Sequence, residues 1–449
     1  MTVQFFLDQL ASLLQAKLIG AAAVGPEAIA AITTDSRGLK GEELFIALKG
    51  EKFDGHDFVM NAAAGGAIAA VVSEPVADLP IPQFQVADTL RAYQQLGQWW
   101  RQQFTIPIIG ITGSVGKTTT KELIAAVLGQ YGAVHKTAKN YNNEIGVPKT
   151  LLDLTPEHDY GVIEMAMRGP GEIAELTAIA QPTIGLITNV GTAHIGRLGS
   201  EQAIANAKCE LLATMPRDSI ALLNADNARL MATAPQFWQG ETLTYGLTVG
   251  DLRGEMVNTE TLRVGGVDFP LPLPGEHNAS NYLAALAVAQ ILGLDWQRLT
   301  GGLRVDLPGG RSRRLDLPGD IALLDETYNA GYESMVAALK LLKATPGMRH
   351  IAVLGTMKEL GDDSPRLHGG VGQVARDLGI NELIVLVDDP EAQEILNGAG
   401  VGIACQTHGE VVEVLQGMMK GGDRILFKAS NSVGLNQVVA QLQAAPLNE

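Results

Sequence analysis

The chain has 449 residues, of which 46% are apolar, with 51 Gly and 20 Pro. At roughly 150 residues per domain this is enough for about three folded domains, and the composition excludes disordered and collagen-like chains. Acidic side chains outnumber basic ones, 49 to 33, for a net charge of −16. A general electrostatic grip on nucleic acid or an anionic membrane is thereby excluded, and any anionic substrate must be held by a local site.

Cys209 and Cys405 stand alone in apolar surroundings. That fits a reducing, cytoplasmic setting and no disulfide framework. The opening MTVQFFLDQLASLLQAKLIG lacks a basic start and reads as an amphipathic helix, not a signal peptide. No uncharged apolar run reaches the ~18 residues of a membrane span.

Short strands are expected at Leu44–Leu48 and Ala67–Val72, with IPQFQV closing a first block near Val86. A helix over Asp88–Phe104 opens the second block. Strands follow at IIGIT, Tyr160–Met165, Ile184–Val190 and Ile220–Ala225, with helical patterns between them. A turn-rich, β-like stretch covers Glu241–Pro274, and an Ala- and Leu-rich helix covers Asn278–Leu292. From about Arg314 the alternation resumes: IALLDE, a helix near Ser334–Leu342, HIAVLG, a helix near Val371–Leu378, ELIVLV and RILFKA. Alternating apolar strands and amphipathic helices predict α/β architecture with mostly parallel, helix-covered sheets. The expected division is into residues 1–86, 87–313 and 314–449: a small α/β domain, a central P-loop domain and a Rossmann-like αβα domain. No apolar stripe is left over after the three cores, which reads as a monomer.

The sharpest local signal is Gly110-Ile-Thr-Gly113-Ser114-Val115-Gly116-Lys117-Thr118-Thr119, lying between a strand and a helix. Glycines let backbone N–H groups curl around phosphates, and the helix N-terminus adds positive dipole. Lys117 would reach the β/γ-phosphates, and the Thr118 hydroxyl would bind Mg²⁺. The spacing departs from the common pattern, since Ile111 stands where the first glycine belongs. The bland alternative is a Gly-rich turn leading into a helix.

Glu164 ends a strand, where the ligands of open α/β sheets gather; it could also be a charge emerging into solvent. His194 sits in the loop GTAHIGRLGS, as a ligand or as a structural histidine. Lys208 falls on the apolar stripe Ile204, Lys208, Leu211, Met215 of a helix capped by Ser200. Burial favours the neutral amine, which can take up CO₂ as a carbamate. The alternative is an ammonium that snorkels to the helix edge.

Taken together, GITGSVGKTTT, Lys139–Pro148, VIEMAMRGPGEI, TNVGTAHIGRLGS, AKCELL and HNASNYLAALA resemble the Mur ligases, ATP-dependent amide ligases of peptidoglycan precursor synthesis. Thr33–Val59, Leu323–Met335, Val353–Gly372 and Ile425–Leu435 are most similar to the members that join D-alanyl-D-alanine to a UDP-MurNAc-tripeptide. The resemblance implies a UDP-binding first domain, with Ser36 and Arg37 on the uridine nucleotide and Asn142 and Asn143 near the sugar–peptide. It implies two Mg²⁺ ions, one on Thr118 and Glu164 and the other on His194 and a carbamylated Lys208. It implies ATP held by residues 113–119, with Asn281 on adenine, Arg311 on the γ-phosphate and Asp325 on the ribose. Lys117, His194, Lys208 and Arg311 are then the catalytic candidates, and Tyr328, Asn329 and Lys428 would meet the dipeptide. Closure of the third domain over the second is expected.

Gly331-Tyr332 and Asn431 depart from the family's usual Asn-Pro and Arg. The rival readings are another amide ligase of this family, either one that adds a diamino acid or a folylpolyglutamate synthetase, and a P-loop ATPase without ligase activity. The first rival should carry Asp-Asn-Pro-Arg in its third block, and that motif is absent.

Overall fold

The computed structural model describes residues 4–20, 23–50 and 53–444. Three main sheets follow one another along the chain, beside a two-stranded one at its start. The first orders its strands Lys17–Ile19, Gln83–Gln85, Ala69–Val72, Glu43–Ile46 and Ala31–Thr33. All but the antiparallel Lys17–Ile19 pairing are parallel.

The expected N-terminal amphipathic helix is shorter than its apolar pattern. Phe5–Phe6 is a strand paired with Ala28–Ile29, the helix is Leu7–Leu13, and left-handed Gln15 turns the chain into the next strand. The Phe5 ring explains the difference. It stacks 4.7 Å from Trp100 and lies 4.8 Å from Trp99, both on the helix Thr89–Arg101, and aromatic burial outweighs local helix preference there.

The central sheet has nine strands. Val134–Lys136, Tyr160–Glu164, Ile108–Thr112, Ile184–Ile187, Ile220–Asn224 and Thr242–Gly246 run parallel. All five residues of Ile108–Thr112 are buried, as a strand covered on both faces requires. The β-like stretch after Glu241 adds a parallel strand and then a meander over Leu252–Asn258, Thr261–Val264 and Val267–Pro270. The helix Glu276–Ile291 is buried nearly all round, and its alanines let it lie close against the helix Lys117–Leu128.

The third sheet orders Arg313–Leu317, Ile321–Asp325, Asp423–Lys428, Arg349–Leu354, Glu382–Leu386 and Ile403–Cys405. Only its first pairing is antiparallel. Its first strand starts at Arg313, one residue before the expected division. The sequence pattern leaves the helices Gln393–Ala399, His408–Met418 and Asn436–Ala444 unassigned. Among the described residues no helix is long and apolar enough to cross a membrane.

Candidate functional site

Lys117 begins a helix whose preceding residue, Gly116, has φ 83°. The bend before it is tight: a Cβ on Gly113 (φ 153°) would sit 1.9 Å from Thr188 Oγ1. The loop is tied to the neighbouring strand end. Ser114 N donates to Asn189 O (3.1 Å), Val115 N donates to Asn189 Oδ1 (3.0 Å), and Thr188 Oγ1 donates to Val115 O (2.7 Å). Two loop amides are therefore already used. The amides of the helix's first turn remain as anion donors, a division of labour that the glycine pattern does not reveal. Lys117 Nζ donates to Gly113 O at 2.7 Å, folding the side chain along the loop.

This loop floors a cleft of about 1270 Å³ between the central and third sheets. Ser114 through Thr119, Asn142, Asn143, Glu164, His194, Asn281 and Arg311 line it, as do Tyr328, Asn329 and Lys428 from the third domain. Five expected residues are not on its wall, among them Gly113, which sits beneath the loop against Thr188. Ser36 and Arg37 lie on a turn of the first domain, where exposed Arg37 pairs with Asp35 at 2.7 Å. Buried Asp325 turns into its own loop, its Oδ1 accepting from the amide and hydroxyl of Thr327 at 3.1 and 2.6 Å. Lys208 is buried and is not among the lining residues. Gly331 and Asn431, two of the departures from the family pattern, do line the cleft, whereas Tyr332 packs its ring against Gly370.

The charged groups fall into two sets. Glu164 is almost wholly buried, and its Oε1 accepts from Asn142 Nδ2 at 2.8 Å. Its Oε2 is buried without a hydrogen bond; Lys121 Nζ, 3.9 Å away, is beyond bonding distance. Lys121 is itself engaged by Thr137 O (2.7 Å) and Glu122 (3.0 Å). That pair under the phosphate loop, completed by Lys136 on Glu122, is absent from the sequence reading. Arg311 Nε is likewise buried without a partner, its guanidinium 3.7 Å over the Tyr328 ring. The cleft thus holds an unpaired anionic oxygen and an unpaired cationic N–H, each costly to bury unless a ligand completes it.

Lys208 lies on the stripe expected of it, with Ile204, Leu211 and Met215 all buried, and Ser200 Oγ caps the helix at Ala203 N (3.1 Å). Among the described residues no carboxylate pairs with its amine. Burial, reinforced by the nearby charge of Lys117, drives that amine far below its ordinary pKa. Burial lowers Lys117 and Lys428 as well, each opposed by one carboxylate, Glu164 and Glu326 respectively. Lys428 Nζ donates to Asn329 O at 2.9 Å. Asn281 Oδ1 accepts from Thr120 Oγ1 (3.1 Å) and sits beside Gly116. His194 presents Nδ1 to Glu359 Oε2 at 2.5 Å, and burial outweighs that carboxylate to lower its pKa. Among the described residues no three His, Cys, Asp or Glu side chains gather as a metal cluster.

The chain matches three family models: Mur ligase family, catalytic domain, over residues 28–92; Mur ligase middle domain, over 111–289; and Mur ligase, glutamate ligase domain, over 310–431. A UDP-N-acetylmuramoyl-tripeptide–D-alanyl-D-alanine ligase of Synechocystis is 60% identical, covering 92% of each chain. A crystal structure of MurF from Acinetobacter baumannii superposes with a TM-score of 0.91 at 31% identity, covering 99% of this chain and 100% of that one. MurF ligase from Thermotoga maritima, in complex with ADP, gives 0.83 at 28% identity, covering 92% and 97%.

The crowding at Gly113 generates a test. Gly113→Ala should displace Thr188 and the loop, a strain of about 1–3 kcal/mol. Calorimetric titration should show ATP-analogue affinity reduced roughly tenfold or more, with the far-UV spectrum unchanged. Native affinity in the variant would contradict this reading of the loop.

Proposed function

The chain belongs to the Mur ligase family, and we propose that it joins D-alanyl-D-alanine to a UDP-MurNAc-tripeptide with ATP, giving UDP-MurNAc-pentapeptide in the cytoplasm. The observation that carries this reading is the convergence of cations from two domains on one cleft: Lys117 from the phosphate loop, Arg311 from the connecting segment and Lys428 from the third sheet. ATP spans the first turn of the helix Lys117–Leu128, with Asn281 beside the loop for the base. Asn142 and Asn143 lie on the acceptor side, and Tyr328, Asn329 and Lys428 on the dipeptide side. Ser36 and Arg37, on their exposed turn, serve the uridine nucleotide. Asp325, whose Oδ1 accepts from Thr327, would meet the ribose through its other carboxylate oxygen, Oδ2.

In the first step a carboxylate oxygen of the tripeptide attacks the γ-phosphorus. The bond to the β,γ-bridging oxygen breaks, and ADP leaves. In the second step the dipeptide's amine attacks the acyl carbon, phosphate departs, and the amine's proton leaves with it. Lys117 and Arg311 hold the γ-phosphoryl oxygens and offset the repulsion between two anions. The third domain covers the cleft and keeps water from the acyl phosphate.

The orphaned Glu164 Oε2, close to Thr118 and the phosphate loop, suits a divalent cation. Thr118 and Glu164 would hold one Mg²⁺, and His194 with Lys208 a second. Bound Mg²⁺ supplies positive charge to phosphate and carboxylate oxygens. Lys208 suits that role as a carbamate: its buried amine, favoured in the neutral form, attacks CO₂, forms an N–C bond and loses a proton.

Two results are expected. Phosphate release from ATP should require both UDP-MurNAc-tripeptide and D-alanyl-D-alanine, with pentapeptide as product. Release without the dipeptide would point to a plain ATPase instead. Lys208→Ala should lower turnover by about 10²-fold or more and recover in part with added formate or acetate. Native turnover in that variant would remove the carbamate.

A further inference from the structure

The third domain touches the central one through Glu359, a residue that the reaction scheme above leaves unused. Glu359 reaches across the cleft rim and makes three kinds of contact with the segment 194–197. Its Oε2 meets His194 Nδ1 at 2.5 Å. Its Oε1 accepts from Arg197 Nε at 3.0 Å, and a second guanidinium nitrogen lies 2.9 Å away. Its carbonyl accepts from Gly196 N at 3.1 Å.

The backbones are pressed together here. A Cβ on Gly196 would meet Gly361 N at 2.5 Å, so only glycine allows this approach. Both His194 (φ 66°) and Glu359 (φ 65°) are held in the left-handed region, which side chains other than glycine rarely adopt. Two left-handed residues thus face each other across the domain boundary. Beside it, Glu333 accepts from Thr192 N at 2.8 Å and from Thr192 Oγ1 at 3.2 Å, so the same segment is gripped twice.

A carboxylate at Nδ1 needs a proton on that nitrogen. In the neutral ring Nε2 is then the lone-pair nitrogen, and the ring plane is fixed. A carboxylate behind a histidine is the usual way to orient a metal-binding imidazole, and its loss typically costs about 10–100-fold in metal affinity or activity. Here the carboxylate belongs to a different domain from the histidine. We propose that Glu359 is a positioning residue that sets His194 for cation binding only when the third domain has closed on the central one. Closure and completion of the second cation site are then one event. This rests on the reading of His194 as a cation ligand.

The test uses full-length enzyme, Mn²⁺ as probe and a non-hydrolysable ATP analogue with UDP-MurNAc-tripeptide. Bound Mn²⁺ is counted by electron paramagnetic resonance, domain closure is followed by small-angle scattering, and half-activating Mn²⁺ is measured in turnover. Glu359→Ala should weaken the second Mn²⁺ by about 10–100-fold, and Glu359→Gln, which keeps an acceptor for Nδ1–H, should restore most of it. Arg197→Ala removes a latch contact but spares the His194–Glu359 bond, so its Mn²⁺ requirement should stay near native. Gly196→Ala, which wedges the backbones apart with Glu359 intact, should reproduce the Glu359→Ala defect and open the scattering profile. Equal Mn²⁺ requirements in Glu359→Ala and Arg197→Ala would overturn the proposal and leave Glu359 a latch only. If His194→Ala also leaves Mn²⁺ binding native, the ligand reading of His194 fails together with the proposal. If His194→Ala weakens binding and Glu359→Ala does not, the proposal alone fails.

Discussion

A carboxylate must approach a triphosphate, and both are anions. In a chain of net charge −16 the average field opposes each of them. The structure answers locally, by burying cations whose charge is only partly offset. Lys117 and Lys428 lie in low-dielectric surroundings that favour their neutral forms, so each is destabilised as a cation until an anion arrives. Arg311 completes the set with an unpaired buried N–H. Such groups interact strongly with developing charge because they are fixed in place and shielded from water.

The fold delivers these groups through one repeated device. Strands of the central sheet end at the cleft: Ile108–Thr112 runs into the phosphate loop, Tyr160–Glu164 ends in the carboxylate, and Ile184–Ile187 runs into Thr188 and Asn189. The strand Asp423–Lys428 of the third sheet likewise ends in its lysine. Two mostly parallel sheets thus present the carboxyl ends of their parallel strands to one space, where open α/β sheets bind ligands. The strand Ile108–Thr112 lies between Tyr160–Glu164 and Ile184–Ile187, so the loop after it has supporting residues on both sides. Asn189 braces it from one neighbour, while Glu164 faces the phosphate region from the other.

What could be read from the sequence was what is local or periodic. The phosphate loop is one contiguous segment whose glycines, lysine and threonines have few other uses together. The buried position of Lys208 follows from helical spacing and a serine cap. Non-local contacts were not legible. His194 and Glu359 are separated by 165 residues, and nothing near either one encodes the meeting. Asp325 sits at a strand end as a ligand would, and only the structure shows that its Oδ1 also accepts from Thr327. The N-terminal apolar pattern suits a helix throughout, but Phe5 finds Trp99 and Trp100 far along the chain and takes strand geometry. Lys121 looks like an ordinary helix lysine beside the loop; only the fold shows it fully buried near Glu164.

The central claim is that the acceptor carboxylate itself attacks phosphorus within this cleft. The most direct measurement labels both oxygens of the tripeptide's terminal carboxylate with ¹⁸O and follows one turnover with ATP and D-alanyl-D-alanine by mass spectrometry. The account predicts one ¹⁸O in the released phosphate and one in the new amide carbonyl. Unlabelled phosphate, with pentapeptide still formed, would contradict it.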